Sequence, residues 1–180
     1  MKKILAFAGS NKQNSINHKL IEFAAAQISA FPVKIIRLNS FDTPIFNEDI
    51  ENALGIPIAT RLLNNEIKDV DALMISVNEH NGSISSFFKN HIDWLSRLDK
   101  RFLEGKKIVL MSTSNGAKGG ASALEYSKKV LPYFGGEVVE SFSFPFFSEN
   151  FSEENNTIAN EEMLLGFMDV LQNFVHQIEK

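Results

Sequence analysis

The chain has 180 residues, no cysteine, a net charge of −4 at neutral pH and a pI near 5.6. Those values exclude disulfides, thiolate metal sites and a cysteine nucleophile, and the acidic balance without a basic stripe argues against general nucleic-acid binding. No stretch approaches the ~20 apolar residues of a membrane helix, and a hydrophobic content of 44% is that of a globular chain, so a single domain over residues 1–180 is expected.

Met1-Lys2-Lys3 and the apolar run behind it superficially resemble a secretory leader. The run is too short and meets Ser10-Asn11-Lys12 with no cleavage-type site, so a soluble cytoplasmic protein is expected. Lys3–Gly9 reads as a strand, apolar through its centre. The loop behind it, Ser10 to Asn17, holds six hydroxyl or amide side chains and one cation. A helix is predicted from about Asn17 to Ser29, with Leu20, Ile21, Ala24 and Ile28 on one face. Val33–Leu38 is the second strand; residues 39–57, with Pro44, Gly55 and Pro57, read as a long irregular segment; Ile58–Asp69 is helical.

Ala72–Val77 is the continuous apolar run of a strand buried on both faces. It breaks into the polar loop Asn78–Ser83 and resumes as a helix, with Phe88, Ile92 and Leu95 at helical spacing; read as a plain strand-to-helix turn, the loop would have Ser83 as cap, which leaves its other polar residues unexplained. Lys107–Thr113 is another buried strand, followed by the glycine-rich loop Ser114–Gly120 and a helix over Ala121–Phe134 that Gly135-Gly136 stops. Glu137–Phe144 is the last strand and Pro145–Asn160 an excursion. The final helix, about Glu161–Glu179, is capped by Asn160, with two glutamates in its first turn, and carries Leu164, Phe167, Met168, Leu171, Phe174, Val175 and Ile178 at helical spacing.

Five alternations of strand and helix predict an α/β fold: a five-stranded parallel sheet in a three-layer α-β-α arrangement, joined by right-handed crossovers. The flavodoxin-like order 2-1-3-4-5 places the loops after strands 1, 3 and 4 side by side at one rim, where ligands bind. These are the three loops already marked by polar side chains and glycine. In the first, Ser10, Ser15, the Asn17 amide and the Lys12 ammonium converge at a helix N-terminus and suit an anion. The same residues also read as an ordinary capped turn. The loop is neither a P-loop nor a dinucleotide fingerprint, because Gly9 is its only glycine. The glycines of the third loop let the backbone approach a flat ligand, or they make a flexible surface loop.

His18, His80, His91 and His176 show no ligand spacing, so no metal site is expected. No serine occupies a nucleophile elbow. Glu79, the one carboxylate of the second loop, reads as a solvated or cap-bonding group rather than a general base. Two apolar sets, Phe41, Ile45, Phe46 and Phe146, Phe147, Phe151, fall in loops. They mark either a subunit interface or local burial.

Three motifs carry a family resemblance: Gly9-Ser10-x-Lys12-x-x-Ser15-x-Asn17, then Glu79-His80-Asn81-Gly82-Ser83 with Lys89-Asn90-x-Ile92-Asp93-Trp94-x-Ser96-Arg97, and Ser114-x-Gly116-x-x-Gly119-Gly120. With Pro44-x-Phe46-Asn47-Glu48-Asp49 they resemble the NADPH-dependent FMN reductase family of flavodoxin-like proteins. The resemblance implies FMN at the switch point. Ser10, Lys12, Ser15, Ile16 and Asn17 would surround its phosphate. Asn78, Glu79, His80, Asn81, Gly82, Ser83, Ser114, Asn115, Gly116 and Gly119 would flank its ring. It further implies hydride transfer from NADPH or NADH to the flavin and onward to a small acceptor such as a quinone, free flavin or azo compound. No side chain need act as a catalytic acid or base. A homodimer or homotetramer is implied as well. The alternative is a flavodoxin-like electron carrier without turnover, against which the cation-bearing first loop and modest acidity count. Two positions depart from the family pattern: Lys12 stands where Arg is usual, and Asn78-Glu79-His80-Asn81 where Pro-Glu-Tyr-Asn is usual.

Overall fold

Alternate side chains of each central strand divide between two cores. In the computed structural model, which describes residues 1–180, β1 (Ile4–Ala8) sends Ile4, Ala6 and Ala8 to one face and Leu5 and Phe7 to the other. The remaining strands of the sheet are β2 (Val33–Ile35), β3 (Ala72–Val77), β6 (Lys107–Thr113) and β7 (Glu137–Phe144). Two short hairpins, β4 (Glu79–His80) with β5 (Ser83–Ile84) and β8 (Phe151–Ser152) with β9 (Thr157–Ile158), stand outside it. The sheet is parallel throughout in the order β2-β1-β3-β6-β7, which is 2-1-3-4-5 for its own five strands. β3 is buried along its whole length, the cause of its unbroken apolar run.

One face is covered by α1 (Ile16–Ala26) and α7 (Glu161–Glu179), which bring Leu20, Phe23, Phe167 and Phe174 onto the sheet. The other is covered by α3 (Ile58–Lys68), α4 (Ser86–Leu98) and α5 (Ala121–Val130). Truncating a fully buried residue such as Phe174 to Ala removes about 3–5 kcal/mol at such a site.

Several local expectations are corrected. The second strand stops at Ile35, and the chain turns through a 3-10 segment at Leu38–Ser40. The segment expected to be irregular contains α2 (Glu48–Leu54). Its signal is Asn47, whose Oδ1 accepts from the Asp49 N–H at 2.7 Å, followed by Glu48, Asp49 and Glu51 against the positive end of the helix dipole. α2 buries none of its residues and is fastened by Arg97, whose Nε lies 2.9 Å from both Glu51 oxygens. The cap of α4 is Ser85 rather than Ser83: its Oγ accepts from the Phe88 N–H at 3.1 Å and donates to the Gly9 carbonyl at 2.8 Å. α5 ends at Val130, and Pro132 enforces a 3-10 turn over Leu131–Phe134. The excursion after β7 folds into a single turn, α6 (Phe147–Asn150), and the β8–β9 hairpin. Phe147 and Phe151 stack there at 4.6 Å and are buried, so they belong to the core of their own chain and not to a free surface.

Candidate functional site at the carboxyl rim of the sheet

The rim between β1, β3 and β6 is pinned by Asn17. Its Oδ1 accepts from Ser76 Oγ at 2.8 Å and from the Thr113 N–H at 3.2 Å, while its Nδ2 donates to the Thr113 carbonyl at 3.2 Å. The side chain is therefore committed to joining the start of α1 to the ends of two strands. Its oxygen is thereby used up; what Asn17 can still offer an anion is its main-chain N–H and the second proton of Nδ2. Ser76 and Thr113, the other halves of this tie, carried no sequence signal, because each looks like one more residue of an apolar strand.

The first loop keeps its donors free. Ser15 is the cap of α1, accepting from the His18 N–H at 3.4 Å, which is the capped-turn reading; its hydroxyl proton remains available. The main-chain N–H groups from Gln13 to Asn17 meet no acceptor in the chain. Lys12 is exposed and forms no ion pair, and its own N–H donates to Ser10 Oγ at 3.2 Å. A run of unpaired N–H groups, a free ammonium and two hydroxyls at a helix start is the donor set that a phosphate monoester requires. The loop is tied from behind by Arg37, which sequence reading passed over. Close by, burial and then the Arg37 charge hold His18 below its ordinary range, with Glu22 working in the opposite direction.

The second loop is a tight hairpin rather than an open loop. Asn81 and Gly82 occupy its two corner positions at φ 52° and 78°, the left-handed pair that a two-residue hairpin turn demands. The Asn-Gly dipeptide was the available signal. Glu79 turns inward, its Oε2 accepting from the Ser122 and Ala123 N–H groups at 2.8 and 3.2 Å, so it caps α5 and is unavailable as a base. Asn78 Nδ2 lies 3.2 Å from His80 Nε2, and Asn78 Oδ1 is buried without a partner. An orphaned acceptor at a strand end is a group still lacking a donor.

The third loop is braced, not flexible. Gly119 has φ 56°, and a Cβ there would come within 2.7 Å of the Phe144 and Pro145 backbone. Its lack of a side chain thus serves packing against β7 rather than approach to a ligand. Phe146 and Phe147 donate main-chain N–H bonds to the Gly116 and Ser114 carbonyls, and Asn115 Oδ1 accepts from Ser148 Oγ at 2.8 Å. Ser114 Oγ accepts from the Gly116 N–H at 3.2 Å, and a Cβ on Gly116 would meet only that hydroxyl, at 3.7 Å. Gly116 is the glycine of this loop with space beside it.

Beside the hairpin lies an open groove of about 340 Å³ bounded by His80, Asn81, Ser83, Lys89 and Tyr126. A second, of about 380 Å³, shares Ser86 and Lys89 with it and continues to Phe46 and Phe87. The interior void beneath α4 is only about 20 Å³ and nearly all apolar, too small for an organic ligand. No group of three or more His, Asp or Glu side chains is placed to hold a metal ion.

Residues 2–149 match the family model of the NADPH-dependent FMN reductases. The quinone reductase of Escherichia coli K12 is 27% identical over 143 residues, covering 79% of this chain and 76% of that one. An NAD(P)H-dependent FMN reductase of Pseudomonas aeruginosa is 31% identical over 132 residues, 73% of this chain and 70% of that one. In fold, the chain is similar to the flavoenzyme NAD(P)H:(acceptor) oxidoreductase FerB of Paracoccus denitrificans, with a TM-score of 0.83 at 24% identity over 99% of this chain and 98% of that one. A flavodoxin-like sheet and a family match over most of its length make this chain a member of the NADPH-dependent FMN reductase family, an NAD(P)H-dependent oxidoreductase whose cofactor is FMN.

Proposed function

We propose that the rim holds FMN with its phosphate on the first loop and its ring between the hairpin and the third loop, and that the chain reduces a small acceptor of the quinone class. The observation that carries the reading is the unpaired run of N–H groups from Gln13 to Asn17 beside the free Lys12 ammonium. The quinone reductase relatives support the acceptor class. When bound, FMN supplies the hydride chemistry: it accepts from a nicotinamide and donates to the acceptor.

The chain's own residues bind and orient. Lys12, the Ser10 and Ser15 hydroxyls and the helix N–H groups neutralise the phosphate. Asn17 ties the start of α1 to the ends of β3 and β6 beneath the ring, and the Glu79 cap holds the hairpin against α5. Asn78, His80, Asn81, Gly82, Ser83, Ser114, Asn115 and Gly116 line the two sides of the ring site, with Gly116 leaving space where a side chain would stand. Gly119 serves by fixing that loop on β7. The grooves around Lys89 offer the space a second substrate needs.

A homodimer belongs to the same proposal. Ile45, Leu54, Ile58 and Leu62 are 84%, 82%, 77% and 54% exposed along α2, α3 and the segment before them. Exposed apolar side chains gathered on neighbouring elements of the chain fit a self-complementary interface. No helix is long and apolar enough to cross a membrane, and the lack of cysteine suits the reducing cytoplasm. Nucleic acid is not among the proposed partners.

The test is direct. Purified protein titrated with FMN should quench flavin fluorescence at one FMN per chain, and the loaded protein should consume NADPH when 1,4-benzoquinone is added. Failure to bind FMN would overturn the reading; binding without NADPH consumption would favour an electron carrier.

A further inference from the structure

We propose that Arg37 is a positioning residue of the anion-binding loop, acting on that loop's main chain from the end of β2. The proposal rests on the FMN reading given above. Arg37 lies two residues beyond the last residue of β2, and its Nη1 donates to the Gln13 carbonyl at 3.0 Å. Its Nη2 is 3.8 Å from Glu22 Oε1, the same oxygen that lies 3.3 Å from His18 Nε2 on α1. One guanidinium thus fastens the middle of the first loop to the strand end and to the helix that the loop opens.

The consequence follows from peptide geometry. The Gln13 carbonyl and the Asn14 N–H belong to one peptide unit, which is trans, as every peptide bond in the chain is. In a trans peptide the two groups point in opposite directions. Holding the carbonyl on Arg37 turns the Asn14 N–H to the other side of the loop, where no acceptor of the chain meets it. The neighbouring N–H groups of Ser15, Ile16 and Asn17 are free in the same way. Without the guanidinium that peptide can rotate, and an anion would have to organise the loop itself at an entropic cost.

Arg37 also brings a second positive charge to a loop whose own cation is Lys12. An ammonium is a point charge without a planar fork. The chain carries its fork at Arg37 and directs it to a carbonyl and a carboxylate rather than to the ligand. Glu22 offsets part of that charge, so Glu22 and a phosphate on the loop compete for the same field.

The experiment titrates apoprotein with FMN and with riboflavin, which has the same ring and no phosphate, for wild type, Arg37→Met and Glu22→Gln. Arg37→Met is expected to weaken FMN about ten-fold and to leave riboflavin within about two-fold, with the weakening shrinking as salt is raised. Glu22→Gln leaves Arg37 in place and removes its neutralising partner; FMN should bind more tightly and riboflavin should not change. An unchanged FMN-to-riboflavin ratio in Arg37→Met, or equal weakening of both flavins, would overturn the proposal, since either outcome describes a residue that only supports the fold. Should Arg37→Met fail to fold, an FMN affinity unmoved in Glu22→Gln overturns it equally. If wild type takes neither flavin, the FMN reading itself fails first.

Discussion

Ser76 donates its hydroxyl to the carboxamide oxygen of Asn17 at 2.8 Å, joining the end of β3 to the first turn of α1. Both residues are buried, and the same carboxamide closes two further bonds on Thr113. Asn17→Ala would leave the Ser76 hydroxyl and both main-chain groups of Thr113 without partners. We expect a loss of about 2–4 kcal/mol in urea unfolding with an unchanged m-value. The FMN-to-riboflavin preference should survive, because the N–H of residue 17 is retained. A preference abolished together with little loss of stability would show that the side chain binds the ligand after all.

Lys12→Ala should weaken FMN about ten-fold or more, because a charge-assisted hydrogen bond is worth roughly 1.5–3 kcal/mol. Riboflavin affinity should hold. Ser15→Ala should cost less FMN affinity and more thermal stability, since Ser15 is the cap of α1. Paired titrations and melting curves separate the two effects.

Glu79→Gln tests what the carboxylate of the hairpin is for. It accepts from two N–H groups at the start of α5, so the neutral amide should reduce stability by about 1 kcal/mol through loss of charge at the helix end. Turnover with NADPH and a quinone should stay within a few-fold of wild type. A drop of several orders of magnitude with FMN still bound would instead make Glu79 a base.

His91 gives the fold an acid-sensitive point. It lies in contact with Phe87 on α4, its Nε2 has no hydrogen-bond partner, and burial lowers its pKa from 6.5 to about 4, opposed by the charge of Asp42. Because the folded value is depressed, the unfolded chain takes up the proton first. The contribution to stability is full above about pH 6.5 and is lost as pH falls from there towards 4. The span corresponds to at most about 3 kcal/mol. His91→Leu should flatten this part of the pH dependence, which urea midpoints measured between pH 7 and pH 4 would read directly. Identical slopes in the two proteins would count against it.

Replacing Ile58 and Leu62 together by Lys should convert the proposed dimer to monomer without unfolding it, because both side chains are largely exposed. Light scattering at micromolar concentration gives the answer. A wild type that is already monomeric removes the interface from the proposal.

The sheet and its order were legible because buried parallel strands leave continuous apolar runs, as at Ala72–Val77, and because each run is followed by a helical stripe. The location of the rim was legible for the same reason. What each side chain does there was not. Asn17 looks in sequence like a ligand of an anion, and only its three-dimensional neighbours, Ser76 and Thr113, reveal that its carboxamide oxygen is already bonded, whereas Glu79 was legible as a solvated or cap-bonding group and the structure supplies only which helix it caps, α5. Gly119 and Gly116 are indistinguishable as letters, yet one lies against β7 and the other beside open space. Arg37 escaped notice because its partner is a carbonyl, a group every residue has. α2 was missed since a helix that buries nothing has no apolar period to detect.

That same independence of α2 makes the chain's one tryptophan a reporter. Trp94 is fully buried, donates from Nε1 to the Pro44 carbonyl at 2.8 Å and meets the Phe46 ring edge-on at 5.1 Å. Its surroundings therefore include the strap that leads into α2, a helix that buries none of its residues, and segments without buried apolar contacts open at low free energy. Intrinsic fluorescence in this molecule should therefore read the detachment of residues 43–54 before the melting of the sheet. An emission shift that precedes the loss of far-ultraviolet dichroism would then be a local event, and a two-state fit to the fluorescence alone would understate the stability of the core.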